Sequence, residues 1–324
     1  MKHVYAPHLG RHVTVGARKR PAKHLRAGIP QMSKYQLAVA PDFDYTTLAS
    51  QALSDILGND ALGDCTSAGA GHLIDVFTAG GGTPVAITAA EAIEFYSLST
   101  GYQPGNPATD RGGDEITVLT AWRDKGYDGH GAHPIAGFVS VDPSNAAELK
   151  SACYYFGGLY FGLELPDTYT NPFPSSNGFV WGPGTPDLNQ GHCIVGAGGN
   201  STGILVDTWG LIGTFTYAGI AELCSEAAYG TVFAVVSREW VNAMKGQSPS
   251  GLDWAALEAD FKGLGGSVTP DPAPVPPVPT GPVTLAQAQA WATAALKAAH
   301  PLMTRAQAIS TVTKALAASW PVVS

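Results

Sequence analysis

The sequence predicts an α+β fold with a helical first half and a stranded second half, on three observations. First, 324 residues with 45% hydrophobic and only 14% charged content are enough to bury a sizeable core. Second, stretches up to Lys125 carry helix starts and glycine stops around apolar faces. Third, beyond Gly131 the pattern changes to short β-branched and aromatic runs separated by turns.

Composition divides the chain into four parts. Residues 1–40 form a basic arm. Met1 to Pro41 holds eight Lys and Arg and no Asp or Glu, in a chain whose net charge is -8. With His3, His8, His12 and His24 and no clear period, the arm is expected to be a flexible or surface-draped extension. It would contact either nucleic acid or this protein's own acidic surface. Residues 41–266 are the main folded unit. Residues 267–282, with Pro270, Pro272, Pro274, Pro276, Pro277, Pro279 and Pro282, read as an extended spacer. Residues 283–324 read as two Ala-rich amphipathic helices, Thr284 to Ala299 and Thr304 to Ser319, parted by His300-Pro301. Two such helices are too small to stand alone, so they are expected to dock on an assembly partner or on a second copy.

Within the folded unit the elements follow in order. A helix from Cys65 to about Thr78 is stopped by Gly80-Gly81-Gly82, and others span Ala89 to Leu98 and Glu115 to Lys125. A helix with Asp142 as N-cap, Pro143 in its first turn and Ala146 to Cys153 as its body interrupts the strands. Strands are expected at Phe138 to Val141, Leu159 to Leu165, His192 to Ala197, Gly203 to Thr208, Phe215 to Tyr217 and Val232 to Ser237. Two short helices, Arg238 to Met244 and Leu252 to Phe261, close the unit.

Two stretches carry chemistry. In Gly63-Asp64-Cys65-Thr66 a cysteine stands where a loop becomes a helix, with Asp64 at the N-cap. First-turn N–H groups lack backbone partners and favour a thiolate there. His72 shares that helix face at i+7, but a rise of roughly 10 Å argues that it is a hydrogen-bonded core histidine instead. Downstream, Gly191-His192 opens one strand and Asp207-Thr208-Trp209-Gly210 closes the next. In an antiparallel hairpin the start of the first strand lies beside the end of the second, which would make His192 and Asp207 neighbours.

The order of these pieces resembles the papain-like cysteine peptidases over about Pro41 to Ser237, and is similar to divergent members from bacteriophages and bacteria. Pro41-Asp42-Phe43-Asp44-Tyr45, Gly63-Asp64-Cys65, Arg111-Gly112-Gly113, Ala147-Glu148-Leu149-Lys150, Gly191-His192 and Asp207-Thr208-Trp209-Gly210 carry the resemblance. It implies a helical half and an antiparallel β half with a cleft between them, and a thiol hydrolase of peptide or protein substrates acting through a thioester. Cys65 would be nucleophile and His192 its proton partner. Asp207 would orient the imidazole and Trp209 shield it. Asn59 and the Cys65 backbone N–H would hold the oxyanion, and Gly112 and Gly113 would pair with the substrate backbone. Leu62 and Asp110 stand where the family has a disulfide, and Thr66 where it has an aromatic residue. Asn59, one methylene shorter than the glutamine the family has there, and Thr66 support a rival reading, a catalytically silent scaffold acting as a structural or binding component of a larger, phage-type assembly.

Other chemistries find weaker footing. The cysteines 65, 153, 193 and 224 lack C-x-x-C spacing, and His130, His133 and Asp128 in a Gly-rich loop make a poor metal set, so no metal or cofactor is expected. Gly199 to Gly203 fits G-x-S-x-G, but a strand follows it and a hairpin turn is expected. The sequence shows no secretory signal and no apolar run long enough to span a membrane, which points to a cytoplasmic or virion-associated protein.

Overall fold

The computed structural model describes residues 2–263, apart from residues 17, 22–25, 27–28 and 33–36. The expected linker and the two C-terminal helices lie outside the described residues from residue 264 onward.

The chain opens with a hairpin, β1 (Lys2–Ala6) and β2 (Arg11–Val15), paired antiparallel from Lys2↔Val15 to Ala6↔Arg11. This corrects the expectation of an arm without a period. Pro7-His8-Leu9-Gly10 makes the turn, with Gly10 at φ 65, and Val13 and Val15 on β2 are fully buried. Thr14 between them is buried as well, so β2 carries no clean alternation. The arm lies on its own protein, through Lys2–Asp167 and Arg11–Asp60 ion pairs among others.

After the short β3 (Phe43–Asp44) the helical part follows: α1 (Cys65–Gly80), α2 (Ala89–Thr100) and α3 (Glu115–Lys125). Helix α1 is buried from Cys65 to Thr78, because it runs between α2 and the sheet. Helix α2 starts on a full capping box: Thr88 accepts from Glu91 N–H, and Glu91 reaches back to the Thr88 backbone. Asp114 caps α3 by accepting from Thr117 N–H.

The second part is an antiparallel sheet with one parallel edge. Its strands are β4 (Gly137–Ser140), β5 (Leu159–Glu164), β6 (Val180–Trp181), β7 (Gly191–Gly199), β8 (Gly203–Thr208), β9 (Leu211–Thr216) and β10 (Thr231–Val236). Their spatial order is β4-β10-β5-β7-β8-β9-β6, with β3 added to β7 and β6 parallel to β9. Helix α4 (Ala146–Phe156) packs on this sheet. Its cap is Asn145, which accepts from Glu148 N–H, whereas Asp142 closes a local turn on Ser144; the helix therefore begins later than the proline suggests. The short α5 (Asp167–Thr170) and α6 (Tyr217–Leu223) flank the sheet. A 3-10 turn at Arg238–Trp240 replaces the expected helix to Met244, and α7 (Trp254–Gly263) closes the described chain.

One apolar core joins both parts. Tyr160 donates its hydroxyl to Thr66 O in the first turn of α1, which fixes the helix start against β5. No helix among the described residues is long and apolar enough to cross a membrane.

Candidate active site

Cys65 is the first residue of α1 and His192 the second of β7, the strand that packs most heavily on that helix. Both line one small cavity of about 20 Å³, shared with Asn59, His72, Asp207, Thr208 and Trp209. That volume holds roughly one water molecule. Cys65 is 2% exposed. Burial pushes its thiol up to about 12, opposed by the Cys193 backbone N–H.

The His192 ring is held from two directions. Its Nε2 lies 3.0 Å from Thr208 Oγ1, and its face stacks on Trp209 with ring centroids 3.8 Å apart and planes at 7°. Nδ1 is buried and has no partner. With the proton on Nε2, Thr208 Oγ1 accepts it and Nδ1 keeps a free lone pair. Burial alone pushes this histidine down to about 3, so the ring is neutral at neutral pH.

Trp209 stacks on the imidazole, but the Asp207–His192 contact it was expected to shield is not formed. Asp207 meets His72 instead: its Oδ2 lies 3.5 Å from His72 Nε2, and its Oδ1 is buried without a partner. The cause is register. Strands β7 and β8 pair Val195↔Asp207, with an irregularity between Gly196 and Gly198. Asp207 therefore shares Val195's face, while Thr208 shares that of Ile194 and His192.

His72 sits between two carboxylates, with Nδ1 3.3 Å from Asp75 Oδ2. It is the hydrogen-bonded core histidine that its position on α1 suggests, yet it also lines the cavity. Burial works against its charge but Asp207 and Asp75 prevail, and its pKa is raised; burial likewise raises Asp207, to about 7. Thr208 is the residue that sequence reasoning left out, and the place of His72 on the cavity wall was not expected. For Thr208 a signal existed: it follows Asp207 directly.

Asn59 lines the cavity, but its amide donors are committed. Nδ2 donates to Leu62 O at 3.2 Å and to Asp64 Oδ1 at 3.1 Å, so the expected oxyanion role is not the one its hydrogen bonds serve. The shorter stem folds back on the loop. Asp64 stands at the N-cap without capping through its side chain, and burial raises its pKa well above the usual range. The Cys65 N–H keeps its place in the first turn, where helix N–H groups point outward unpaired.

The double glycine divides its work. Both glycines are buried: Gly112 N–H donates to Tyr96 Oη at 2.8 Å, and the Gly113 carbonyl accepts from Lys19 N–H at 2.8 Å. A side chain at Gly113 would meet Thr66 Oγ1 at 2.7 Å. Tyr96 donates in turn to Asp110, whose carboxylate accepts Gly63 N–H at 3.1 Å. A hydrogen bond thus ties the two loops that carry Leu62 and Asp110.

Elsewhere the fold uses its polar residues locally. Asp128 accepts from His130 and Ala132 N–H, and His133 pairs with Glu239 at 2.9 Å. Among the described residues, no cluster of three or more His, Cys, Asp or Glu is arranged to hold a metal. Asn200 closes the β7–β8 hairpin by accepting from Thr202 and Gly203 N–H.

No protein-family model matches this sequence, and no curated protein matches it. Among solved structures, the fold is similar to that of papain-like cysteine proteases. Xylellain, a cysteine protease from Xylella fastidiosa, is 12% identical over 68% of this chain and 91% of its own, with a TM-score of 0.42. Digestive procathepsin L2 from Tenebrio molitor larval midgut is 15% identical over 68% and 78%, with a TM-score of 0.45. Procathepsin B from Trypanosoma congolense is 14% identical over 68% and 87%, with a TM-score of 0.45.

Proposed function

We propose that this chain is a thiol hydrolase that cleaves peptide or other amide bonds. The reading rests on one observation: Cys65 at a helix start shares a cavity with an imidazole whose Nε2 is held by Thr208 and whose Nδ1 is unpartnered. His192 Nδ1 takes the thiol proton as sulfur attacks the substrate carbonyl, and the imidazolium returns it to the leaving amine. Water then attacks the thioester, giving a proton to His192, and the acid product leaves with Cys65 restored. Thr208 holds the ring where the resemblance assigned Asp207, and Trp209 keeps water from its face. The Cys65 N–H serves the oxyanion. Substrates are peptides or proteins.

In the resting chain the thiol and the imidazole are both neutral, since burial pushes the first up and the second down. Substrate entry requires the cavity to open. The rival reading, a silent scaffold in a larger phage or bacterial assembly, draws support from the committed donors of Asn59 and the small cavity.

Digestion of a diverse synthetic peptide library, with products mapped by mass spectrometry, separates the two. Cleavages made by the wild-type or Arg18→Ala chain and lost in both Cys65→Ser and His192→Ala support the hydrolase. Absence of products from the wild-type and Arg18→Ala chains alike overturns it.

A further inference from the structure

One arginine of the arm is held by two buried carboxylates. Arg18 is fully buried: its Nε donates to Glu115 Oε1 at 2.6 Å, Nη1 to Glu164 Oε1 at 3.1 Å and Nη2 to Tyr229 O at 2.8 Å. Glu115 and Glu164 are themselves buried, and Glu115 Oε2 has no partner. The pocket floor is Gly162, where any side chain would run into Glu115 and Arg18. Glu164 Oε1 also accepts from Arg20 Nε at 2.9 Å, at the rim. Without Arg18 it is therefore Glu115 that would be buried with no cation, and that cost makes the pocket demand a positive occupant.

The backbone around Arg18 is held as a bound strand would be. Gly16 and Arg18 N–H both donate to Gly191 O, at 3.0 and 3.2 Å, immediately before His192. Lys19 N–H donates to Gly113 O, in the double glycine, at 2.8 Å. On the far side, His8 Nε2 bonds Trp209 O at 2.9 Å. The arm therefore runs along the candidate site between the segments that flank it, with one side chain sunk in the pocket.

We propose that the Glu115–Glu164 pocket is a substrate side-chain pocket selective for arginine, and that Arg18 occupies it as a built-in surrogate. The proposal rests on the hydrolase reading and names its substrate class: peptides with arginine, in extended conformation, alongside Gly113 and Gly191. The acceptors fit a guanidinium fork, with two carboxylate oxygens and one carbonyl meeting three separate N–H directions. A lysine ammonium, one point charge, reaches them less well. Citrulline keeps the shape and loses the charge.

The test is calorimetric, in full-length chains carrying Cys65→Ser so that no turnover occurs. The probes are acetyl-Gly-Ala-Arg-Lys-Ala-amide and its citrulline and lysine counterparts at the arginine position. The tethered arm competes at an effective concentration in the millimolar range, so the chain with Arg18 intact should show little binding. Arg18→Ala should bind the arginine probe, with the lysine probe about 10-fold and the citrulline probe at least about 100-fold weaker. Adding Glu115→Gln should shrink the arginine-to-citrulline ratio below about 10-fold. Equal binding of arginine and citrulline probes, or no binding at all, overturns the proposal; a merely structural ion pair would give this result.

If Arg18→Ala does not fold, Arg18→Lys keeps a cation over both carboxylates. It should bind the arginine probe more tightly than the chain with Arg18 does, and failure to do so also overturns the proposal. Because binding is read without the thiol, a missing hydrolase activity would leave the pocket standing, and a failed pocket would leave the peptide-library result standing.

Discussion

Thr208 and Asp207 are adjacent, and the structure gives them opposite parts, so a paired substitution tests the site. Thr208→Val replaces the hydroxyl with a methyl of the same shape and leaves His192 Nε2, now 3.0 Å from Oγ1, without a partner in a buried place. An unpaired buried polar group costs about 1–3 kcal/mol. If that cost falls on the step in which the ring must be held, turnover drops roughly 5- to 150-fold. Asp207→Asn keeps its shape and touches His72, not His192. The assays are kcat and KM on a peptide that the library identifies, with long-range proton–nitrogen correlation spectra of the histidine rings. Thr208→Val should lose kcat with KM little changed and show His192 in both neutral tautomers; Thr208→Ser should restore most of both. Asp207→Asn should stay within about threefold in kcat, with spectral changes at His72. A loss in Asp207→Asn equal to or greater than that in Thr208→Val would refute the assignment.

Three further outcomes follow from burial. All four thiols are buried and raised, Cys65 to about 12, whereas in the unfolded chain they ionise near ~8.5. The unfolded state then loses protons that the folded state keeps, so stability falls as pH rises above ~8.5, by about 1.4 kcal/mol per thiol per pH unit. Urea midpoints between pH 8 and 10 should fall steeply, and less steeply in Cys153→Ala. The raised pKa of Asp207, about 7, means that its contribution is present at acid pH and lost as pH climbs through that value; raised His72 has the same sign, and depressed His192 the opposite one, losing stability as pH falls from ~6.5 towards about 3. Asp207→Asn should flatten the decline between pH 5 and 8 in thermal unfolding. Gly113→Ala should cost about 1–3 kcal/mol by denaturation, since its methyl group would press on Thr66 Oγ1 beside the start of α1.

The legible parts of the sequence were those with local causes. Cys65 at a helix start needs only a loop, a cap position and an apolar face. The end of α3 at Gly126 and the β7–β8 turn at Asn200 are equally local. Asp207 was misassigned because a β-register is set by the whole pairing, and one irregularity near Ala197 decides which of two adjacent side chains meets the histidine. Arg18 was harder still. Its partners Glu115 and Glu164 lie 97 and 146 residues away, and nothing in a basic, Gly-punctuated arm says which arginine will be buried. Asn59 had the right chemistry but a shorter stem, and its amide found acceptors nearer home.

Two imidazoles in one cavity, perturbed in opposite directions, define how the site is divided. His192 is surrounded by a hydroxyl and an indole face, so burial acts on it unopposed and it stays neutral. His72 faces Asp75 and Asp207 and favours its proton. In the proposed reaction a neutral ring with a free nitrogen can accept a thiol proton, which favours as base the histidine without a carboxylate. Asp207 would then act at a distance, favouring a proton on His72 near the cavity where a thiolate and later an oxyanion would form. Replacing His72 with Gln should therefore leave His192 in place and raise the pH at which Cys65 becomes reactive. That shift, read by alkylation of Cys65 in the Arg18→Ala chain, would be absent if His72 only filled the core.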